Sequence, residues 1–295
     1  MMIEIATVLF PVVLCAVLGA LWAHSRTGYD SEFVSRLVLN IGAPCLMLSV
    51  LGSVEIDAEV FVATAFACVA VTCLMVVPGV LVPKILGDDV RTYLPSFLFP
   101  NVGNMGLPVC MLAFGEQGLA LALAFFMTLS IAHFPTGILL AGGKEAGGLG
   151  GIARMPIMYA ILVSGLLVAT GWRLPEFLDN AVGLIGGMTI PLMLITLGVS
   201  LYSLQVRDWR KAFLYSLIRI LGGLGVGLVV CWMMNLEGIA RGVVLIQSSM
   251  PVAVFNYLFA VRFNKEPGAV AGLVVVSTFL SFIFLPVLLL TILPG

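Results

Sequence analysis

Charge is what this sequence has least of. Only 10% of its residues are Asp, Glu, Lys or Arg, against roughly 25% in an ordinary soluble domain. The balance of charge is close to even, at -1, and there is no basic run, so nothing calls for nucleic acid as a partner. Histidine is scarce too, with His24 and His133 alone. The six cysteines, Cys15, Cys45, Cys68, Cys73, Cys110 and Cys231, fall singly in apolar runs without metal spacing or paired loop positions. They are read as small buried hydrophobes. No carboxylate pair, His/Asp metal cluster or nucleophile with a base stands at a recognisable spacing, which disfavours an integral membrane enzyme and implies neither metal nor cofactor. The lack of a signalling domain disfavours a sensor.

What is present is apolar. Hydrophobic residues make up 61% of the 295, and the mean hydropathy is +1.17. The fold class expected is all-α integral membrane. At roughly 20 apolar residues per span, ten segments can be drawn: Ile5 to Trp22, Phe33 to Leu51, Phe61 to Val82, Thr92 to Ala113, Leu119 to Leu140, Met155 to Gly171, Phe177 to Tyr202, Ala212 to Met234, Ile239 to Val261, and Ala269 to Leu293. The N-terminal run lacks the basic flank of a signal peptide and is read as a true span. A glycine-rich stretch, 141–154, reads as a cytoplasmic linker between a first half, 1–140, and a second, 155–295.

Basic residues set the expected orientation. Eleven of the fourteen fall in alternate connections, at Arg26, Arg36, Lys84, Arg91, Lys144, Arg154, Arg207, Arg210, Lys211, Arg262 and Lys265. By the positive-inside rule those connections are cytoplasmic and both termini face outward across a cell (inner) membrane. Arg219, about two turns into segment eight, is read as snorkelling to the cytoplasmic interface, with a cavity-facing position as the alternative.

Segment four carries Phe-Pro-Asn-Val-Gly-Asn-Met-Gly-Leu-Pro from Phe99. Two prolines and two glycines within ten residues should break the helix inside the membrane. In hydrocarbon the freed backbone groups need protein, cavity water or a bound solute as partners, so the break is a binding-site hypothesis. The halves match: Pro44 and Pro191 sit in similar surroundings 147 residues apart, and Pro100 and Pro251 lie 151 apart. An odd number of spans per half turns the second upside down. The result is two inverted five-helix repeats, an architecture of secondary transporters that places solute where broken helices four and nine meet.

The candidate substrate-binding residues follow from that picture. Asn101 and Asn104 would share a helical face and offer amides that are costly to leave unpaired, the plainer reading being helix–helix glue. Gly103 and Gly106 admit close backbone approach or let amides reach an anion. Gln247, Ser248 and Ser249 precede Pro251, and Asn256 follows it; serines also bond back to their own helix. Two half-helix N-termini directed at one cavity would attract a carboxylate. His133, in segment five, is a candidate for proton coupling or simply a neutral residue bonded to a carbonyl. Glu116 reads as a loop carboxylate, and the glycine run 222–227 as a packing face.

Pro-Asn-x-x-x-Met-Gly-x-Pro at Pro100 to Pro108, Phe-Gly-Glu-Gln at Phe114 to Gln117, and Met-Pro followed by Phe-Ala and Asn-Lys-Glu-Pro between Met250 and Pro267 resemble the auxin efflux carrier family. That family includes plant PIN-type carriers and bacterial malonate or organic-acid permeases, with distant kinship to bile acid:sodium symporters. The resemblance implies an X-shaped crossing of segments four and nine at Pro100 and Pro251, and a substrate carboxylate bound by Asn101. It further implies a homodimeric scaffold of segments one, two, six and seven; apart from the resemblance, uptake of an anion against the membrane potential would need coupled protons or sodium. Two departures stand out. The long phosphorylated segment between the halves of plant carriers is replaced by the short glycine linker, and segment two reads Pro44-Cys-Leu-Met where plant carriers keep a serine.

Overall fold

The computed structural model describes residues 2–140, 155–263 and 265–293. The glycine-rich stretch 141–154 therefore lies outside the described residues, with its Lys144 and Arg154, as does the side chain of His133. Among the described residues the chain is all helix apart from turns and one isolated backbone bridge. Seven helical runs are long and apolar enough to cross a membrane: Ile3–His24, Ser31–Ser53, Ala58–Leu86, Val102–Ala132, Glu176–Ser203, Trp209–Met233 and Pro267–Ile292. Pro156–Thr170 and Gly238–Ser248 are apolar but shorter. The molecule is a multi-span membrane protein.

Helix α1 (Met2–His24) is followed by a kinked span made of α2 (Ser31–Leu37), a π-helical turn at Val38–Gly42 and α3 (Ala43–Ser53). Asp30 caps its start by accepting a hydrogen bond from the Phe33 amide at 2.9 Å. The long α4 (Ala58–Leu86) ends on Gly87, whose φ of 73° is left-handed and suits a residue without a side chain. Then come α5 (Val90–Leu98), a non-helical stretch at 99–101, a π-helical turn at Val102–Gly106 and α6 (Leu107–Leu140).

Segments four and five, drawn from sequence with a loop between them, are two helical stretches of α6 that meet at a kink, and Gly115 makes it. Its φ of 66° and ψ of -154° interrupt the helix at a conformation open chiefly to glycine. The chain doubles back so sharply that a Cβ on Gly118 would lie 2.6 Å from the carbonyl oxygen of Cys110. One residue replaces the expected loop, and Glu116 is exposed beside it.

The second half holds α7 (Pro156–Thr170), α8 (Glu176–Gly187) and α9 (Thr189–Ser203), which are separated by a turn at Met188, then α10 (Trp209–Met233). Helices α11 (Gly238–Ser248) and α12 (Val254–Arg262) flank a second non-helical stretch, and α13 (Pro267–Ile292) closes the described chain. In packing, α1 lies on α9 and α3 on both α7 and α8; α4 lies on α5 and α6, and α10 on α11 and α13. Large apolar side chains such as Phe10, Leu162, Leu184, Trp232 and Ile283 stay exposed, as an exterior facing lipid requires.

One sequence expectation is corrected by this exterior. Cys68, Cys110 and Cys231 are buried and Cys15 and Cys45 half-buried, but Cys73 is exposed. Apolar surroundings in a membrane protein include lipid as well as core.

At the end of the bundle bearing the loop after α4, ion pairs tie the elements together. Asp88 pairs with Lys211 at 2.6 Å and accepts from the Tyr215 hydroxyl at 3.0 Å, while Asp89 lies 3.5 Å from Lys265. Partial burial pushes the Asp89 carboxyl up, but bonds from the Arg91 amide and the Thr92 hydroxyl, with the charge of Lys265, outweigh it and hold it below the usual carboxylate range.

Candidate functional site

The two non-helical stretches meet. Pro100 and Val252 form an antiparallel backbone bridge. The Asn101 amide donates to the Pro251 carbonyl at 2.7 Å, and the Ala253 amide to the Phe99 carbonyl at 3.3 Å. Proline explains why both stretches are open: it lacks the amide that would continue a helix and clashes with the carbonyl one turn back. Each break then supplies the hydrogen bonds the other lost. Pro108, the other proline of segment four, lies inside the helical run that continues from the π-helical turn and opens no second break.

Two further contacts fasten the crossing. The Asn256 side-chain amide donates to the Phe99 carbonyl at 2.9 Å, and the Val252 amide donates to Ser277 Oγ on α13 at 2.9 Å. Ser277 was not singled out from sequence, because its role depends on a contact 25 residues away that no local pattern encodes. Replacing it by alanine strands the Val252 amide in a buried site, at a cost of about 1–3 kcal/mol. A Ser277→Ala protein should therefore melt several degrees below wild type in detergent, and an unchanged melting temperature would remove Ser277 from the crossing.

The polar groups at the crossing are unusually unsatisfied. Among the described residues, eight buried side-chain polar atoms lack a partner, and five of them belong to Asn101, Arg219, Gln247 and Asn256. Asn101 lies in the first break and Asn256 bonds to it, while Gln247 and Ser248, whose carbonyl Arg219 bonds, are the last two residues of α11 before the second break. Asn101 is buried with a free Nδ2; Gln247 has neither end of its amide paired; Asn256 has a free Oδ1. Each such group costs about 1–3 kcal/mol when left dry. Their concentration at one place makes the crossing the candidate binding site.

The remaining candidates divide. A Cβ on Gly106 would fall on the Gln247 amide, so this glycine lets segment nine's polar side chain lie against the π-helical turn of segment four. Gly103 faces the ring of Phe126 instead, with Cβ space of 3.1 Å, and serves packing. Asn104 is half-buried. Ser248 and Ser249 donate their hydroxyls to the Leu245 carbonyl at 3.2 and 2.7 Å, bonding back to their own helix. Of the glycine run in segment eight, Gly223 and Gly227 pack against Ser248, whereas Gly222 and Gly225 face open space.

Arg219 departs from the snorkelling expectation. It is only 1% exposed, and its Nη1 donates to the Ser248 carbonyl at 3.0 Å. The physical reason is Gly223, one turn further along α10. It leaves a slot along which the side chain lies, pointing away from the near helix end.

A crevice leads toward this crossing. Its walls include the exposed Arg91 together with Lys265, and the buried Phe99 and Asn256. It joins the end of the bundle carrying the ion-paired loops to the bonded break.

Helices that span a bilayer, two of them broken and paired at depth around unsatisfied amides, are the anatomy of a solute carrier. Residues 149–289 match the family described as membrane transport protein. The matched stretch is just under half of the chain, which is similar in that part to this family of membrane transport proteins. Its members are membrane transporters, not enzymes. An uncharacterized transporter of Methanocaldococcus jannaschii is 24% identical over 227 residues, 73% of each chain. Another, of Methanothermobacter thermautotrophicus, is 24% identical over 266 residues, 87% of each chain. The auxin efflux carrier component 8 of Arabidopsis thaliana is 26% identical over 144 residues, covering 44% of this chain and 39% of the plant protein.

Proposed function

We propose that this transporter is a secondary carrier of small organic anions, mono- or dicarboxylates, working by alternating access at the crossing. The observation that carries the reading is the convergence of helix N-termini. The helical run from Val102 and helix α12 from Val254 both begin beside the Pro100–Val252 bridge. Their positive ends, with the unpaired amide of Asn101, make a field suited to a carboxylate. The auxin named for the Arabidopsis relative is itself a carboxylic acid.

The architecture proposed is ten spans in two inverted repeats of five, with helices four and nine crossing. Paired breaks support it: those of segments four and nine bond to each other, and a Cβ on Gly42, in the break of segment two, would lie 2.6 Å from Thr189 in that of segment seven. The packing of α1 on α9 is echoed by that of α7 on α3. Segments one, two, six and seven would form a homodimer scaffold against which the crossing bundle moves as a rigid body, by elevator or rocking motion. Both termini would face outward from the inner membrane. Membrane potential alone would favour export of an anion, and uptake would need coupled protons, with His133 a candidate relay, or sodium.

Sodium symport is the second reading, favoured by the free acceptors Gln247 Oε1 and Asn256 Oδ1. Against a cation at the crossing stands the buried guanidinium of Arg219. Sodium-dependent thermal stabilisation in detergent would support symport.

The deciding experiment is solid-supported-membrane current from proteoliposomes challenged with a panel of carboxylates, including malonate and indole-3-acetate. A saturating current for one of them is expected. Silence across the panel with and without pH and sodium gradients, together with no tracer flux, overturns the reading.

A further inference from the structure

A positive charge at membrane depth has to be accounted for. Arg219 is ten residues past the start of α10, about 15 Å along the helix axis. Its guanidinium lies further in, because a Cβ on Gly223, four residues on, would meet both its Nη1 and the Ser248 carbonyl. Among the described residues the ion pairs are Glu32–Arg36, Glu55–Arg173, Asp88–Lys211 and Asp89–Lys265, and none involves Arg219. Its one side-chain bond among the described residues is to the Ser248 carbonyl, and its Nε is buried without a partner among them. Removing such a charge from water costs several kcal/mol, and one neutral carbonyl repays only part.

Capping a helix end is too small a task for that cost. The structure contains the comparison: the Phe99 carbonyl, at the C-terminal end of α5, is capped by the neutral amide of Asn256. The Ser248 carbonyl, at the C-terminal end of α11, is capped by a cation. A neutral donor suffices at the first end, so the charge at the second serves another purpose. Gln247, the residue before Ser248, has both ends of its amide free and lies against Gly106 of segment four, so the arginine is held at the end of α11 that carries the unsatisfied cluster.

We propose that Arg219 is a specificity-determining residue of the cargo site, the fixed positive charge whose free Nε–H engages the cargo carboxylate. The inference rests on the anion-carrier reading and adds to it the group that distinguishes a carboxylate from its uncharged isostere. The helix N-termini bring partial charges to the site, and the arginine brings a whole one. Gly223 is the accessory that aims it inward.

The test uses Arg219→Met and Arg219→Gln in the full-length protein, with the panel carboxylate that gives the largest wild-type current and its primary amide as competitor. In wild type the amide should compete about 30-fold more weakly than the carboxylate, the worth of a charge-assisted hydrogen bond. In both variants that ratio should fall to about threefold or less, while the melting temperature in detergent holds or rises, since an unpaired buried charge has been replaced by a neutral group. A wild-type ratio retained in folded variants overturns the inference and leaves the anion-carrier reading standing. Loss of folded protein in both variants also overturns it, because the charge is then a structural cap. Silence of wild type across the panel takes down both readings together.

Discussion

Replacing Gly198 by valine should leave almost no folded, monodisperse carrier in detergent. A Cβ at Gly198 of α9 would fall on the carbonyl oxygen of Ala16 in α1, and a Cβ at Gly19 of α1 would fall on the carbonyl oxygen of Ile195 in α9. The two contacts are reciprocal, backbone against backbone, about one helical turn apart. In a bilayer no hydrophobic force separates helix from lipid, so close approach of this kind supplies much of the association energy through dispersion and packing. A side chain that collides with another side chain can be relieved by rotation; one that collides with a carbonyl can be relieved only by moving a helix. Overpacking ordinarily costs about 1–3 kcal/mol, and the rigidity of both partners puts Gly198→Val at or above the top of that range. Gly225→Ala is the control, since Gly225 sits mid-helix in α10 with nothing within 4 Å. It should be neutral or stabilising by about 0.5–1 kcal/mol. The check is elution profile and melting temperature by size-exclusion in detergent. A Gly198→Val protein that elutes and melts like wild type would remove the α1–α9 contact from the stability of the fold.

Much of the crossing was legible because its chemistry is local. Pro100 and Pro251 cannot continue a helix whatever surrounds them, and an asparagine in hydrocarbon needs a partner wherever it sits, so sequence pointed at Asn101, Gln247 and Asn256 before any geometry did. The choice of Pro100 over Pro108 was legible from the match with Pro251, and in the structure the backbone bridge forms at Pro100 while Pro108 lies inside a continuous helical run. Contacts between distant segments were not legible. Ser277 meets the Val252 amide across helices, and the reversal at Gly115 is written in one torsion angle rather than in a loop composition. Arg219 was visible but misdirected. A charge two turns from a helix end is ordinarily pulled to the interface by its own hydration, and only the absence of a side chain at Gly223 lets it turn inward.

Replacing Asn101 by alanine should weaken transport severely while leaving the protein as stable as wild type or more so. The backbone of Asn101 does the structural work at the crossing, through its amide bond to the Pro251 carbonyl at 2.7 Å, and alanine keeps that bond. What alanine removes is Nδ2, a donor that is buried and unpaired. Deleting an unsatisfied donor relieves a penalty of about 1–3 kcal/mol instead of creating one. If the side chain were helix glue, the opposite would hold: its partners would be stranded and the melting temperature would fall. Stability and transport thus move in different directions under the two readings, and one variant separates them. With Nδ2 gone, a bound carboxylate loses a charge-assisted hydrogen bond, so KM should rise or the maximal current fall by about 10- to 100-fold. Asn101→Asp is the companion variant. It keeps the shape but replaces the donor with a second negative charge, and should be at least as inactive toward an anion as alanine. Currents from Asn101→Ala equal to wild type, in protein that melts several degrees lower, would make Asn101 a structural residue and move the cargo toward Gln247 and Arg219.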